Sequence, residues 1–163
     1  VGRTFIEPSQ QIRAFGVKLK HSANRGQLDG KRVVLVDDSV VRGTTSLKIV
    51  QMVRDAGAKE VHLCVSSPKI THSDYYGIDT PDPSKLIANQ YVDHDEMCKF
   101  IGCDSLHFLS VDGLYDAVGG VKRDPKNPQF TDHYFTGEYP TLLVDLEAEK
   151  GNIKQRSMLR EAG

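Results

Sequence analysis

Two adjacent carboxylates, Asp37 and Asp38, stand shortly ahead of a cation, a glycine and a run of hydroxyls, Arg42-Gly43-Thr44-Thr45-Ser46. Ionised carboxylates only accept hydrogen bonds, which suits them to sugar hydroxyls or to the waters of a Mg²⁺ ion. The hydroxyl-rich run offers the opposite chemistry. If a helix begins there, its first N–H groups have no partner within the helix and its dipole is positive at that end, a setting for a phosphate. Gly43 lets the backbone turn sharply and approach a ligand with no Cβ in the way. A molecule bearing both a phosphate and a vicinal diol satisfies both halves, and a phosphorylated ribose is such a molecule.

The flanking residues supply elements that can hold these groups. Val33, Val34, Leu35 and Val36 form a short apolar run ending in charge. That is the pattern of a parallel strand buried on both faces, with Asp37 and Asp38 at the carboxyl end, where open α/β sheets bind ligands. Leu47, Ile49, Val50, Met52, Val53 and Ala56 then follow a helical spacing, and Gly57 ends the helix. Val61, Leu63 and Val65 alternate with His62 and Cys64 and predict a second strand, closed by Ser66-Ser67-Pro68. Strand, helix and strand make a βαβ unit with parallel strands and a right-handed crossover. His62 and Cys64 read as packing residues in preference to ligands.

Beyond this unit the signals are local. Lys69 to Pro83 is rich in turn formers, and Tyr75-Tyr76-Gly77 is either an aromatic platform for a base or packing, with packing favoured. Ser84 is expected to cap a short helix over Lys85 to Gln90. Asp93 with Glu96 predicts a capped helix that buries Met97, Phe100 and Ile101 and stops at Gly102. His94 and Asp95 diverge on such a helix and belong to its capped first turn. Leu106 to Leu109 predicts a strand, and Asp112 to Val118 a helix ended by Gly119-Gly120. Residues 121–141, with Pro125, Pro128 and Pro140 and no periodicity, read as a long surface loop. The tail holds a candidate helix over Leu142 to Glu149, and its charged last dozen residues read as disordered. At the other end, residues 1–32 carry seven Lys/Arg against two acids and no sustained period. They read as a mobile basic loop with one short helix around Ser9 to Phe15.

The whole composition is that of one globular domain: 163 residues, 39% hydrophobic, 26% charged, with a net charge of −1. Near-neutrality argues against nucleic acid or an anionic membrane as the main partner. No apolar run is long enough for a membrane helix. Three cysteines without a CxxC spacing indicate neither a disulfide scaffold nor a zinc site, so the expected compartment is the reducing cytoplasm. Residues 1–120 read as the domain proper and 121–163 as a partly irregular extension.

The run VVLVDDSVVRGTTS, Val33 to Ser46, resembles the 5-phosphoribosyl-1-pyrophosphate (PRPP) loop of the type I phosphoribosyltransferases. The flanks GRTFIEPSQQIR (Gly2 to Arg13), SANRG (Ser22 to Gly26), YYGIDTP (Tyr75 to Pro81), DEMCKFIGCDSLHFLS (Asp95 to Ser110) and FTGEYPT (Phe135 to Thr141) are similar to the glutamine-dependent amidophosphoribosyltransferases among them. The resemblance covers most of the chain. It implies an α/β fold, an open parallel sheet with flanking helices, present here as the C-terminal portion of the domain. It also implies transfer of glutamine-derived ammonia to C1 of PRPP, with release of pyrophosphate. By resemblance Asp37, Asp38, Ser39, Val40, Val41, Arg42, Gly43, Thr44, Thr45 and Ser46 hold PRPP, Asp37 and Asp38 also take Mg²⁺, and Lys20 and Arg3 are catalytic residues of a closing loop.

Purine nucleoside monophosphates are implied as feedback effectors, a homo-oligomer as the assembly, and a glutaminase domain upstream of Val1. Some members of the family hold a [4Fe–4S] cluster through cysteines near the YGID segment and before the FTG segment. Here Asp74 and Thr131-Asp132-His133-Tyr134 stand there, so no iron–sulfur cluster is expected. Two other readings compete. A receiver domain also has a strand ending in an acidic pair, but its acceptor candidate, Asp79, lies in a predicted loop and the Arg-Gly-Thr-Thr-Ser turn has no role there. A regulatory phosphoribosyltransferase-like module that binds nucleotide without catalysis would keep the same loop.

Overall fold

Alternating apolar residues build a parallel three-stranded sheet in which strand order equals chain order. The computed structural model describes residues 22–141 and residue 143. β1 (Arg32–Asp37), β2 (Glu60–Val65) and β3 (Ser105–Phe108) pair side by side. Val33 stands opposite Val61, Leu35 opposite Leu63, and Leu63 opposite Leu106. Val61, Leu63, Val65 and Leu106 are between 0% and 4% exposed. They face α2 (Thr44–Asp55) and α4 (His94–Ile101), which add Val50, Val53, Met97 and Ile101 to one core. Each such side chain contributes about 1.5–3 kcal/mol through burial. Gly57 ends α2 with φ +97, and Gly102 ends α4 with φ +82, conformations that cost glycine little. Arg54 near the end of α2 donates to the Gly102 carbonyl at 2.9 Å and to Asp104 at 2.8 Å, fastening this helix to the turn before β3.

The expectation that β1 is buried on both faces fails. Val34 and Val36 are 60% and 71% exposed. α2 and α4 both pack on the side of the sheet that bears Val61, Leu63 and Leu106, and the outward residues Val34 and Val36 stay open to solvent. His62 and Cys64, in register with Val34 and Val36, share this open face and not the core. The His62 ring hydrogen-bonds Ser105 Oγ at 2.8 Å and Glu60 at 3.2 Å, so a cross-strand polar pair replaces the packing expected of it.

The loop expected over residues 1–32 also ends earlier than its composition suggested. Arg25–Leu28 form a single helical turn, α1, and Leu28 packs on the core. The Gly30 N–H then donates to the Gly57 carbonyl at 2.8 Å. One leucine in a polar stretch leaves no period to detect. Arg3, Lys20 and the candidate helix over Ser9 to Phe15 lie outside the described residues, as do nearly all of Leu142 to Glu149 and the charged tail.

Between β2 and α4 the chain makes a 3₁₀ turn over Pro83–Lys85 and then α3 (Ile87–Gln90). Asp82 caps the 3₁₀ turn, its carboxylate accepting the Ser84 N–H at 2.9 Å, whereas α3, the helix expected to be capped by Ser84, starts after Leu86 with no side-chain cap. Asp93 caps α4 as expected, accepting from the N–H groups of Asp95 and Glu96. After β3, Ser110 caps α5 (Val111–Gly119).

Residues 121–141 are not a surface loop throughout. They include α6 (His133–Thr136), and Asp132 and His133 are 3% and 2% exposed. Arg123 donates to Asp132 at 2.5 Å and to Glu138 at 2.6 Å, while the Tyr115 hydroxyl donates to Asp132 at 2.9 Å. Burial alone would push the Asp132 carboxyl up; the hydrogen bonds from Arg123 and Tyr115 outweigh it and hold it below the ordinary carboxylate range. Polar groups that pair with one another can be buried without any apolar periodicity to announce them.

Candidate functional site

β1 delivers two acids to the carboxyl end of the sheet, and they are held differently. Asp37 is half-buried, its carbonyl accepting the Ser66 N–H at 2.9 Å and its Oδ1 the Asp38 N–H at 3.0 Å. Asp38 is exposed, and its Oδ1 accepts the Ser39 N–H at 2.6 Å and the Ser39 hydroxyl at 3.3 Å. The chain then dips back to the core at Val40, which is 3% exposed. The Val41 carbonyl accepts the Ile87 N–H at 2.9 Å, so the turn is fastened from behind by α3.

Gly43 is the hinge point, with φ +72. A Cβ here would run into Ile87 Cδ1 and lie 3.3 Å from both Ile87 Cγ1 and Phe100 Cε1. Both the dihedral and the space therefore require glycine. From Gly43 the chain enters α2, whose first turn contains no acidic residue and whose N-cap supplies no side-chain hydrogen bond. The first helical bond closes from the Leu47 N–H to the Gly43 carbonyl at 2.9 Å. The N–H groups of Thr44, Thr45 and Ser46 thus open a twelve-residue helix with no side chain capping them. Thr45 is exposed, Thr44 and Arg42 are half-buried, and Ser46 is buried.

Carboxylates and an uncapped helix N-terminus stand at the two ends of one short turn. The buried Val40 and Ser46 side chains brace the turn from the core side. Among the described residues no group of three His, Cys, Asp or Glu could hold a metal. A divalent ion at Asp37 and Asp38 would complete its shell with ligand oxygens and water, as Mg²⁺ commonly does with one or two carboxylates and a phosphate. Asp79, the acceptor a receiver domain would need, is exposed in a loop and ends no strand.

The wall behind the turn has no signal in the sequence. Ile87 is 1% exposed, and the Phe100 ring stacks on Tyr91 at 4.8 Å. An isoleucine opening a short helix carries no signal that distinguishes it from any core residue.

A second polar centre lies where the YGID and FTG segments meet. The His133 Nε2 and Asp74 Oδ1 are 2.8 Å apart, with side chains only 2% and 3% exposed. Burial would raise the Asp74 carboxyl, yet the Ile78 N–H, His133 and the Tyr76 N–H together hold it below its usual range. Tyr76 meets the His133 ring edge-on at 5.1 Å and Tyr75 lies 5.4 Å from Tyr139, while the two tyrosines stay 43% and 45% exposed.

Comparison with known proteins gives a consistent picture. Residues 6–91 match the family model described as the phosphoribosyl transferase domain. The chain is 69% identical over 163 residues to the amidophosphoribosyltransferase of Rhizobium etli, covering all of this chain and 33% of that protein. It is 54% identical over 143 residues to the amidophosphoribosyltransferase of Bacillus subtilis, covering 88% of this chain and 30% of that one. Among solved structures, the glutamine PRPP amidotransferase from B. subtilis complexed with ADP and GMP superposes with a TM-score of 0.70 at 52% identity, over 87% of this chain and 31% of that one. The chain spans about a third of the length of the curated relatives it matches.

Proposed function

The chain belongs to the phosphoribosyl transferase domain family, and from that premise we propose that it is the phosphoribosyl-binding part of an amidophosphoribosyltransferase. In this reading ammonia, released from glutamine by a domain elsewhere in the longer protein, attacks C1 of PRPP. The C1–O bond breaks, pyrophosphate leaves and the anomeric centre inverts, giving 5-phosphoribosylamine. The transition state carries positive charge on the ribose ring and negative charge on the leaving group. Catalysis is then positioning and electrostatics, with no side chain acting as nucleophile.

Asp37 and Asp38 take the ribose hydroxyls. The N–H groups opening α2, with the Thr44 and Thr45 hydroxyls, take the 5-phosphate, and Arg42 adds positive charge beside it. Mg²⁺ bound at the carboxylates would neutralise pyrophosphate oxygens. Lys20 and Arg3 are proposed to reach the same oxygens. The relative solved with ADP and GMP supports purine nucleotides as effectors. A homo-oligomer in the cytoplasm completes the proposal. It includes no iron–sulfur cluster, a choice supported by Asp74 and His133 facing each other at 2.8 Å in the two segments concerned.

The observation that carries the reading is the uncapped N-terminus of α2, reached by one short turn from the two aspartates that end β1. Calorimetric titration with PRPP, with and without Mg²⁺, tests it. Magnesium-dependent binding, lost on Asp38→Asn, is expected. If neither this chain nor one extended upstream binds PRPP, the reading fails.

A further inference from the structure

The phosphate turn is shaped by a part of the chain that does not border it in sequence. Four observations converge on α3. The Ile87 N–H holds the Val41 carbonyl at 2.9 Å, in the middle of the turn. The Ile87 side chain, 1% exposed, lies where a Cβ on Gly43 would be, so it seats the residue that sets the direction of α2. Asn89 Nδ2 donates to the Thr71 carbonyl at 2.8 Å and to the Pro83 carbonyl at 2.9 Å, anchoring α3 to the loop after β2. Gln90 Nε2 donates to the Ser84 carbonyl at 3.0 Å, closing the segment on itself. A four-residue helix has little stability of its own, so these side-chain anchors, and the burial of Leu86 and Ile87, keep it in place.

We propose that Ile87 is a positioning residue: α3 acts as a fixed anvil that presses the Val41–Gly43 segment into the one conformation in which the N–H groups of α2 converge on a phosphate. Resting on the phosphoribosyl reading of the turn, this adds which distant residue sets its affinity. Ile87 touches no substrate. Its backbone bond fixes the position of the turn and its side chain fixes the angle at which α2 departs. Affinity for a phosphate held by several N–H groups depends steeply on their convergence, because a displacement near 1 Å lengthens every hydrogen bond at once.

The test compares Ile87→Ala with Leu106→Ala, a truncation at an equally buried core position on β3, far along the chain from the turn. Ile87→Val serves as the milder variant should Ile87→Ala fail to fold. Two readouts are taken on the chain: ¹⁵N relaxation of Val40–Thr45 without ligand, and the Kd for ribose 5-phosphate. Ile87→Ala is expected to lower the order parameters of Val40–Thr45 and to weaken ribose 5-phosphate binding about tenfold or more. Ile87→Val should lie between it and the unaltered chain. Leu106→Ala should lower stability yet leave both readouts within about twofold.

Equal behaviour of the Ile87 and Leu106 variants in the relaxation arm overturns the proposal. If neither the unaltered chain nor one extended upstream binds ribose 5-phosphate while the relaxation contrast holds, the phosphoribosyl reading fails and the grip of Ile87 on the turn stands. The two failures are therefore separable.

Discussion

Asp37 and Asp38 are neighbours that the backbone assigns to different tasks. The half-buried Asp37 spends its Oδ1 on the next N–H and belongs to the strand end; Asp38 is exposed and braced by Ser39. A braced but solvent-facing carboxylate contributes little packing. Asp38→Asn is therefore expected to shift the melting temperature by no more than about 2 °C while removing magnesium-dependent PRPP binding, a contrast read by pairing thermal melts with calorimetry. A large drop in melting temperature would assign Asp38 to structure instead. Cys103 illustrates the opposite case: burial and the bond with Cys98, 3.4 Å away, push its thiol up to about 12, so it is a structural side chain and not a nucleophile.

At the scale of elements, the phosphate turn and the extension obey different logic. Gly43→Ala would place a Cβ against Ile87 and force a non-glycine residue to φ +72. A destabilisation of about 2–4 kcal/mol is expected in urea unfolding, with loss of phosphate binding. The extension is held by charge. Asp132 sits below its ordinary value of 3.8, so its ionised form contributes stability that is fully present above that pH and is lost as pH falls below it. Near-UV circular dichroism of the tyrosines should therefore hold down to about pH 4 and collapse below it. Asp132→Ala, which leaves the half-buried Arg123 with Glu138 alone and the Tyr115 hydroxyl without its acceptor at 2.9 Å, should cost about 3 kcal/mol at neutral pH. A spectrum indifferent to acid, or a variant as stable as the parent, would show that the Arg123–Asp132 pair does not hold the extension.

These elements were not equally legible beforehand. β2, α2 and α4 announced themselves through period, caps and terminal glycines, and the turn through the adjacency of acids, glycine and hydroxyls. Asp132 and His133 were invisible because paired polar residues are indistinguishable from solvated ones until their partners are known. Ile87 was invisible because only the tertiary fold brings it under Gly43. The open face of β1 was misread because a run of valines looks the same whether one face is covered or two.

For the molecule as a whole, that open face separates two classes of valine on the same sheet. Val36→Thr, on a residue 71% exposed, is expected to change the unfolding free energy of this chain by less than about 0.5 kcal/mol. Val61→Ala, at 0% exposed, should cost about 2 kcal/mol or more, both measured by urea unfolding. Equal costs would mean that β1 is covered on both sides in solution. No helix among the described residues is long and apolar enough to cross a membrane.

The order β1-β2-β3 repeats the order of the chain, so each strand pairs with the one made just before it. During synthesis, β1 and α2 leave the ribosome before β2, which finds an edge to pair with as soon as it emerges. β3 then finds the same. Among the described strands, none has to be kept unpaired until a later one arrives to be inserted between two others. The three described strands can therefore pair in the order of synthesis, each across a connection that carries at least one helix.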